Sequence, residues 1–464
     1  MGTLMTASAT LPDIESLPVG QLTQLPFLHS LVVPVVCPGD GVAFLARASA
    51  ALGGGVLWAQ PESGTYFAGA GVAELLTFSG SRRFTEASAA LRLLRGRVVR
   101  EDSEIFPLLG GFSFDVNSAQ DHAWREFPDG RLVVPKVLLQ VSPAGSHLRV
   151  TLPSRVGSAD LAIRAALAGL LDKGLGWLSA GNATCVPAFA RTTGAERRQI
   201  DWEHQVERAI AAIRSGDMSK VVLARTEHLQ ASREISVEAA LGCLREEHPG
   251  ATLFAFSGPE TSFIGATPER LVRLHHGQVD VTCLAGSAAV GSTPEATAEF
   301  GRRLLTSAKD LREHEIVVES TIAALRATCR QVTRLSGTPR LRQARSVQHL
   351  ETPLTASAGP EADVLQLVGL LHPTPAVGGF PTEPALALIR NLETFDRGWY
   401  AGPVGWVDLD GSGEFSVAIR SALLQGNTAT AYAGCGIVAN SDPTEEFVET
   451  QLKLKPMLAA LGEV

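Results

Sequence analysis

YAGCGIVANSDPTEEFVETQLKLK, residues Tyr432 to Lys455, is the stretch around which the chain is organised. Its glycines, the turn at Ser441-Asp442-Pro443, and then Glu446, Glu449 and Lys453 predict a strand, a tight loop and the opening of a helix. On that helix Glu446 and Glu449 are i,i+3 neighbours, and Lys453 lies four residues beyond Glu449, so all three share one face. Neighbouring carboxylates repel. Either a cationic side chain such as Lys453 or a bound hard metal relieves the repulsion, and Mg²⁺ favours a few carboxylates with several waters retained. Taken alone, the stretch also fits a solvated, salt-bridged helix face. A second stretch of the same shape, SAKDLREHEIVVESTIAALRATC, carries Asp310 and Glu313 at i,i+3 on a helix with Val318, Ile322, Leu325 and Cys329 on its apolar face. Two acidic helix faces from distant parts of the chain could clamp one Mg²⁺ between them.

At 464 residues the chain has room for several domains, or for one large α/β domain of two packed halves. Its 45% hydrophobic content is that of an ordinary soluble globular protein. A net charge of −8, with no local Lys/Arg run, argues against nucleic-acid or anionic-membrane surfaces. Cys37, Cys185, Cys243, Cys283, Cys329 and Cys435 lack C-x-x-C spacing and read as reduced thiols in a cytoplasm. The N-terminus has neither a basic n-region nor a long apolar run, so no signal peptide or membrane helix is expected.

In chain order, residues 1–30 read as a loose leader and 31–190 as a β-rich half. The small, polar SAGNATCVPAFARTTGA marks the internal boundary before a second half over 200–461. In the first half, PLLGGFSFD joins Gly110-Gly111 to alternating phenylalanines, which suits a strand whose glycines admit another backbone. The second half opens with a helix, DWEHQVERAIAAIRSG, that Asp201 is expected to cap, followed by the strand SKVVLARTEHL. Lys220, at the head of that strand, either snorkels to water at the rim or, if desolvated, serves as a base. Glu269, after a Thr-Pro turn, is either a solvated strand end paired with Arg270 or a cleft acid with a raised pKa. Ala285-Gly286-Ser287 reads as a loop offering backbone N–H groups. His349 sits in a strand pattern, as a structural histidine commonly does. Arg420 interrupts the apolar strand FSVAIRSALL, and its guanidinium needs an anionic partner from the protein or from a ligand carboxylate.

With SKVVLAR, GATPERL, LAGS, KDLREHEIVV, SVQHL, LHPTPAVGGFP, YAGPVGW, SVAIRSAL and AGCGIVANSDPTEEFVETQLK in one order, the second half resembles the chorismate-utilising family. That family includes anthranilate, aminodeoxychorismate, salicylate and isochorismate synthases, and LHPTPAVGGFP and GGFSFD resemble the isochorismate branch most. The resemblance implies an α/β (α+β) fold in which two packed, mainly antiparallel sheets are flanked by helices. It further implies a Mg²⁺-dependent isomerase acting on chorismate. Lys220 matches the general base that activates water for attack at C2, and Glu269 the general acid for loss of the C4 hydroxyl. Glu313 and Glu449 match the principal metal ligands, with Asp310 and Glu446 as a second pair acting through water. Arg420 and Tyr400, with the backbone around Gly434 and Gly436, match the groups holding the enolpyruvyl carboxylate. His349 and Lys453 fall on supporting positions, and Ala285, Gly286 and Ser287 on the C4-hydroxyl side. The chain departs from the pattern at Asp310, at Cys283 and at Ala288-Ala289-Val290. A monomer without a glutaminase subunit is expected, its product feeding menaquinone, a catecholate siderophore or salicylate. Salicylate synthase is the alternative, and an anthranilate or aminodeoxychorismate synthase component a more distant one.

Overall fold

The run Gly130–Ser142, GRLVVPKVLLQVS, is apolar on both faces, as a strand buried on both sides must be. It is where the sheet divides. The structure, a computed structural model, describes residues 26–37, 40–118, 121–154, 160–178, 189–191, 195–343 and 347–462. One edge of Gly130–Ser142 pairs with Thr65–Phe78, and the other pairs first with Leu108–Phe112 and then with Gly145–Ser154. From Thr65–Phe78 one arm runs through Gly55–Gln60, Thr252–Ser257, Thr261–Thr267, Ser421–Gln425 and Thr428–Ile437 to Lys220–Ala231. From Leu108–Phe112 the other runs through Pro403–Val407, Gly413–Val417, Arg270–His275 and Gln278–Ala289 to Val347–Ser357. Among the described residues every pairing is antiparallel except Phe27–Val35 with Val98–Val99. The expected two antiparallel sheets are thus two arms of one hydrogen-bonded ladder. Strands of the first half, Gly55–Gln60 and Leu108–Phe112, pair directly with strands of the second.

Aromatic side chains fill the space between the arms. Trp124 meets Phe263 at 5.1 Å between ring centroids, Phe127 meets Trp399 at 5.2 Å, and Phe256 meets Trp399 at 5.5 Å, mostly edge to face as ring quadrupoles prefer. Helices cover the outside. Pro443–Ala460 lies along Thr428–Ile437, and Ala308–Arg326 along Gln278–Ala289. Local chemistry starts both helices: Asp442 accepts from the N–H groups of Thr444 and Glu445 with Pro443 in the first turn, and Ser307 accepts from that of Asp310. No described helix is long and apolar enough to cross a membrane.

Four readings change. The helix expected to start at Asp201 runs over Ala195–Ser215, because Ala195-Glu196-Arg197-Arg198-Gln199 are good helix formers and extend it upstream. Residues 285–287 are not a loop: the strand Gln278–Ala289 passes through them, with Gly286 at φ 76° in a bulge between Ala285 and Ser287. Cys283, Cys329 and Cys435 are free thiols, but Cys243 is disulfide-bonded. Spacing in the chain cannot reveal a pairing that depends on Cα separation in the fold. Finally, Phe27 already belongs to a strand, while the rest of the expected leader to residue 25, Cys185 and most of the expected boundary segment lie outside the described residues.

Gly110 lies where the arms diverge, and a Cβ there would stand 1.8 Å from the carbonyl oxygen of Arg131. Gly110→Ala is expected to lower the unfolding free energy by about 3 kcal/mol or more, since backbone cannot yield as a side chain does. The measurement is the urea midpoint at unchanged m-value, and a midpoint equal to that of the parent chain would contradict it.

Candidate active site

Lys220 opens a strand that runs opposite a pair of glycines. In the pairing with Thr428–Ile437, Val222 faces Gly436 and Ala224 faces Gly434, and of the two glycines it is Gly436 that lies beside the Lys220 side chain. A Cβ on Gly436 would come within 2.8 Å of Lys220 Cε and 2.9 Å of Glu313 Oε1. The missing side chain is what lets Lys220 Nζ donate to Glu313 Oε1 at 2.8 Å. Lys220 is 1% exposed, which rules out the rim reading in which its ammonium reaches water.

The two acidic helices meet across the same cleft. Asp310, Glu313, Glu446 and Glu449 line one cavity with Lys220 and Glu269. Each carboxylate leans on a donor. Glu313 takes Lys220, Glu449 takes Lys453 at 2.6 Å, Glu446 takes Lys309 at 3.6 Å, and Asp310 accepts from the Ser307 hydroxyl. Lys453 also donates to the Gly434 carbonyl at 2.9 Å, tying helix to strand. Burial pushes the Glu446 carboxyl above its usual value and the charge of Glu449 adds to this; Asp310 is raised by burial and by Glu313. Glu449 is also pushed up by desolvation, but the Lys453 ammonium more than offsets that and leaves it below the usual range.

Among the described residues, no three His, Cys, Asp or Glu side chains stand close enough together to hold a metal ion. The donor chemistry nevertheless fits Mg²⁺. All four groups are carboxylates, two are raised partly by their neighbours' charge, and Mg²⁺ is commonly held by one or two carboxylates with its remaining positions filled by water.

The opposite wall carries the other candidates. Glu269 is 8% exposed, and burial lifts its carboxyl to about 7 despite the nearby charges of Lys220, Lys453 and Arg420. It is not the partner of Arg270, which binds Glu414 at 2.8 Å. Arg420 sits between two strands at φ 54°, with its guanidinium toward the cavity and, among the described residues, no ion pair of its own. Tyr400 is stacked on Tyr432 at 5.0 Å, and burial raises its hydroxyl far above the ordinary phenol. His349 Nδ1 lies 2.9 Å from the Ser287 hydroxyl, while its buried Nε2 has no partner. Burial, aided by the Arg420 and Lys453 charges, pushes the imidazole down to about 3, so it is neutral. Ala285 and Gly286 complete this wall.

Every candidate residue therefore lines the one cavity. Three charged or aromatic side chains that also line it had no role in the sequence reading: Lys309, Arg397 and Tyr432. Lys309 adjoins Asp310 in a quoted stretch and was open to discovery there. Tyr432 opens the other quoted stretch, whereas Arg397 carries no local signal, because what marks it is a contact across the fold.

A family model described as chorismate binding enzyme matches residues 20–462. An isochorismate synthase of Bacillus subtilis is 39% identical over 369 residues, 78% of this chain and 76% of that protein. The salicylate biosynthesis isochorismate synthase of Pseudomonas aeruginosa is 38% identical over 410 residues, 88% of this chain and 84% of the relative. Among solved structures, the menaquinone-specific isochorismate synthase of Escherichia coli superposes with a TM-score of 0.79 at 25% identity, covering 95% of this chain and 97% of that one.

The raised carboxyl of Glu269 has a stability consequence. Between the ordinary glutamate value and about 7 the folded chain holds a proton that the unfolded chain has lost, so stability falls as pH rises through that window. Glu269→Gln, which cannot ionise, is expected to be more stable than the parent by about 2–3 kcal/mol at pH 8 and nearly equal to it at pH 5. Denaturant unfolding at the two pH values checks this, and an equal difference at both would contradict it.

Proposed function

The chain belongs to the chorismate-binding enzyme family, and from that premise we propose that it is an isochorismate synthase, converting chorismate to isochorismate. Lys220, acting as its neutral amine, takes a proton from the water that attacks C2. Glu269 gives a proton to the C4 hydroxyl, which leaves as water while the ring double bonds shift. One water enters and one departs, so substrate and product are isomers. The observation that carries the reading is the meeting of Lys220 and Glu269 in one cleft, where burial keeps Glu269 able to hold a proton near neutral pH.

Arg420, free of any ion pair among the described residues, suits the enolpyruvyl carboxylate, with Tyr400 beside it and the backbone at Gly434 and Gly436 forming the floor. The neutral His349 offers its unpartnered Nε2 to a polar group of the substrate, and Ala285, Gly286 and Ser287 border the C4 side. Glu313 and Glu449, with Asp310 and Glu446 behind, are the residues that would hold Mg²⁺. That ion would neutralise the ring carboxylate against the four acids. Lys453 keeps Glu449 ionised, as ligation requires. In this reading the enzyme acts in the cytoplasm as a monomer without a glutaminase subunit.

Chromatography of chorismate incubated with the purified chain and Mg²⁺ is expected to give isochorismate. Salicylate appearing without an added lyase would instead assign pyruvate elimination, and amino products with ammonia would assign an aminating synthase. Lys220→Ala and Glu269→Gln should each lower kcat by roughly 10²–10⁴-fold, and EDTA should abolish turnover until Mg²⁺ is restored. Parent-like turnover in either variant removes that residue from the mechanism. Because Glu269 acts as an acid, kcat/KM should decline as pH rises through about 7. A flat profile between pH 6 and about 8.5 contradicts that role.

A further inference from the structure

Behind the cleft lies an ion pair that no assignment above uses. Arg397 is 2% exposed, and its guanidinium donates from Nε to Glu393 Oε2 at 2.8 Å and from Nη2 to Glu393 Oε1 at 2.5 Å. Nη2 also donates to the Val222 carbonyl at 2.7 Å, and Nη1 to the Val377 carbonyl at 3.0 Å. Glu393 Oε1 in turn accepts the Ala224 N–H at 2.8 Å. The guanidinium lies 4.3 Å over the Phe114 ring and 5.9 Å from that of Tyr400, whose N–H donates to the Arg397 carbonyl at 2.9 Å.

These bonds fall on one edge of the Lys220 strand. Its other edge is paired with Thr428–Ile437 along most of its length. On this edge the backbone ladder covers Lys220 and Val221, through Gly379–Phe380, and resumes only at Leu229–Ala231, through Phe189–Arg191; its first part ends where the Val222 N–H reaches the Gly378 carbonyl at 2.9 Å. The next groups facing outward are the Val222 carbonyl and the Ala224 N–H, which would otherwise be buried and unpaired. Arg397 satisfies the first and Glu393 the second. Two side chains thus complete a ladder in place of a strand. The same guanidinium fastens the turn whose Ala376 and Val377 line the cavity, and its own backbone fastens Tyr400. Removing either partner would leave a buried charge, and only the planar fork of arginine reaches both carbonyls and the carboxylate together.

We infer that Glu393 and Arg397 form a positioning unit for the reaction: they hold the strand at Val222–Ala224, and through it the Lys220 amine, in register with the Ala376–Val377 turn and Tyr400. This rests on the reading of Lys220 as the general base. Arg397 acts through that strand rather than on the substrate.

The experiment is a double-mutant cycle on the full chain with chorismate and Mg²⁺. Arg397→Lys is expected to lower kcat roughly tenfold or more, with KM within about threefold of the parent and a Tm still well above the assay temperature. In a Lys220→Ala background, where no base remains to be positioned, the same change should cost little further turnover. Unchanged kcat in Arg397→Lys overturns the inference. So does an equal loss in both backgrounds, since that is what partial unfolding produces. Should Arg397→Lys fail to fold, Phe114→Leu removes the ring beneath the guanidinium, leaves the fork's hydrogen bonds, and is read through the same cycle with a smaller expected loss. A parent chain that leaves chorismate unchanged removes the functional reading and this inference with it, whereas parent turnover with an additive cycle removes the inference alone.

Discussion

The contact between Lys220 and Glu313 joins the two arms of the sheet at the cleft. Lys220 opens the last long strand of one arm, and Glu313 stands on the helix packed against the other, so their 2.8 Å contact spans the space between. A buried ammonium without a partner is expensive, and a buried pair is tolerated only where its remaining surroundings are well made. Here those surroundings are a glycine that leaves room for both side chains and a strand edge completed by Arg397 and Glu393. The pair adds little net stability compared with apolar packing. What it provides is a fixed distance between an amine and an acidic helix face.

From that constraint follows the electrostatic character of the cleft. Lys220, Lys309 and Lys453 each face one of the acids, so three of the four carboxylates on the two helices have a cation beside them and Asp310 has the Ser307 hydroxyl. Opposite them, burial acts without a close ion pair. It raises Glu269 and lowers His349, so a proton-bearing carboxyl and a neutral imidazole border the same space. Groups of one chemical type are driven apart by position alone: Glu449, beside an ammonium, is held ionised, and Glu269, away from any direct partner, is not.

Arg420 is the exception to this pairing. It occupies a left-handed backbone conformation between two strands and aims its charge into the cavity. Strain and an uncompensated cation in one residue are costs that folding alone does not require, and they are typical of a site built to receive an anion. The four acids lie across the same cleft.

Much of this was legible in the sequence. The i,i+3 spacing at Asp310/Glu313 and Glu446/Glu449, the turn at Ser441-Asp442-Pro443, and the strand pattern around Lys220 fix helices, strands and the face each side chain presents, because those depend on neighbours a few residues away. Legible too was that Arg420 breaks its strand. The tertiary structure alone decided that Lys220 is buried rather than at a rim, that Gly286 is a bulge rather than a loop, and that Arg270 turns to Glu414 and leaves Glu269 without it. It alone brought Glu393 and Arg397 to the edge of a strand about 170 residues away in sequence, and it alone bonded Cys243 to another cysteine. Burial, long-range pairing and the charge each group feels are sums over residues that only folding brings together, and no local pattern contains them.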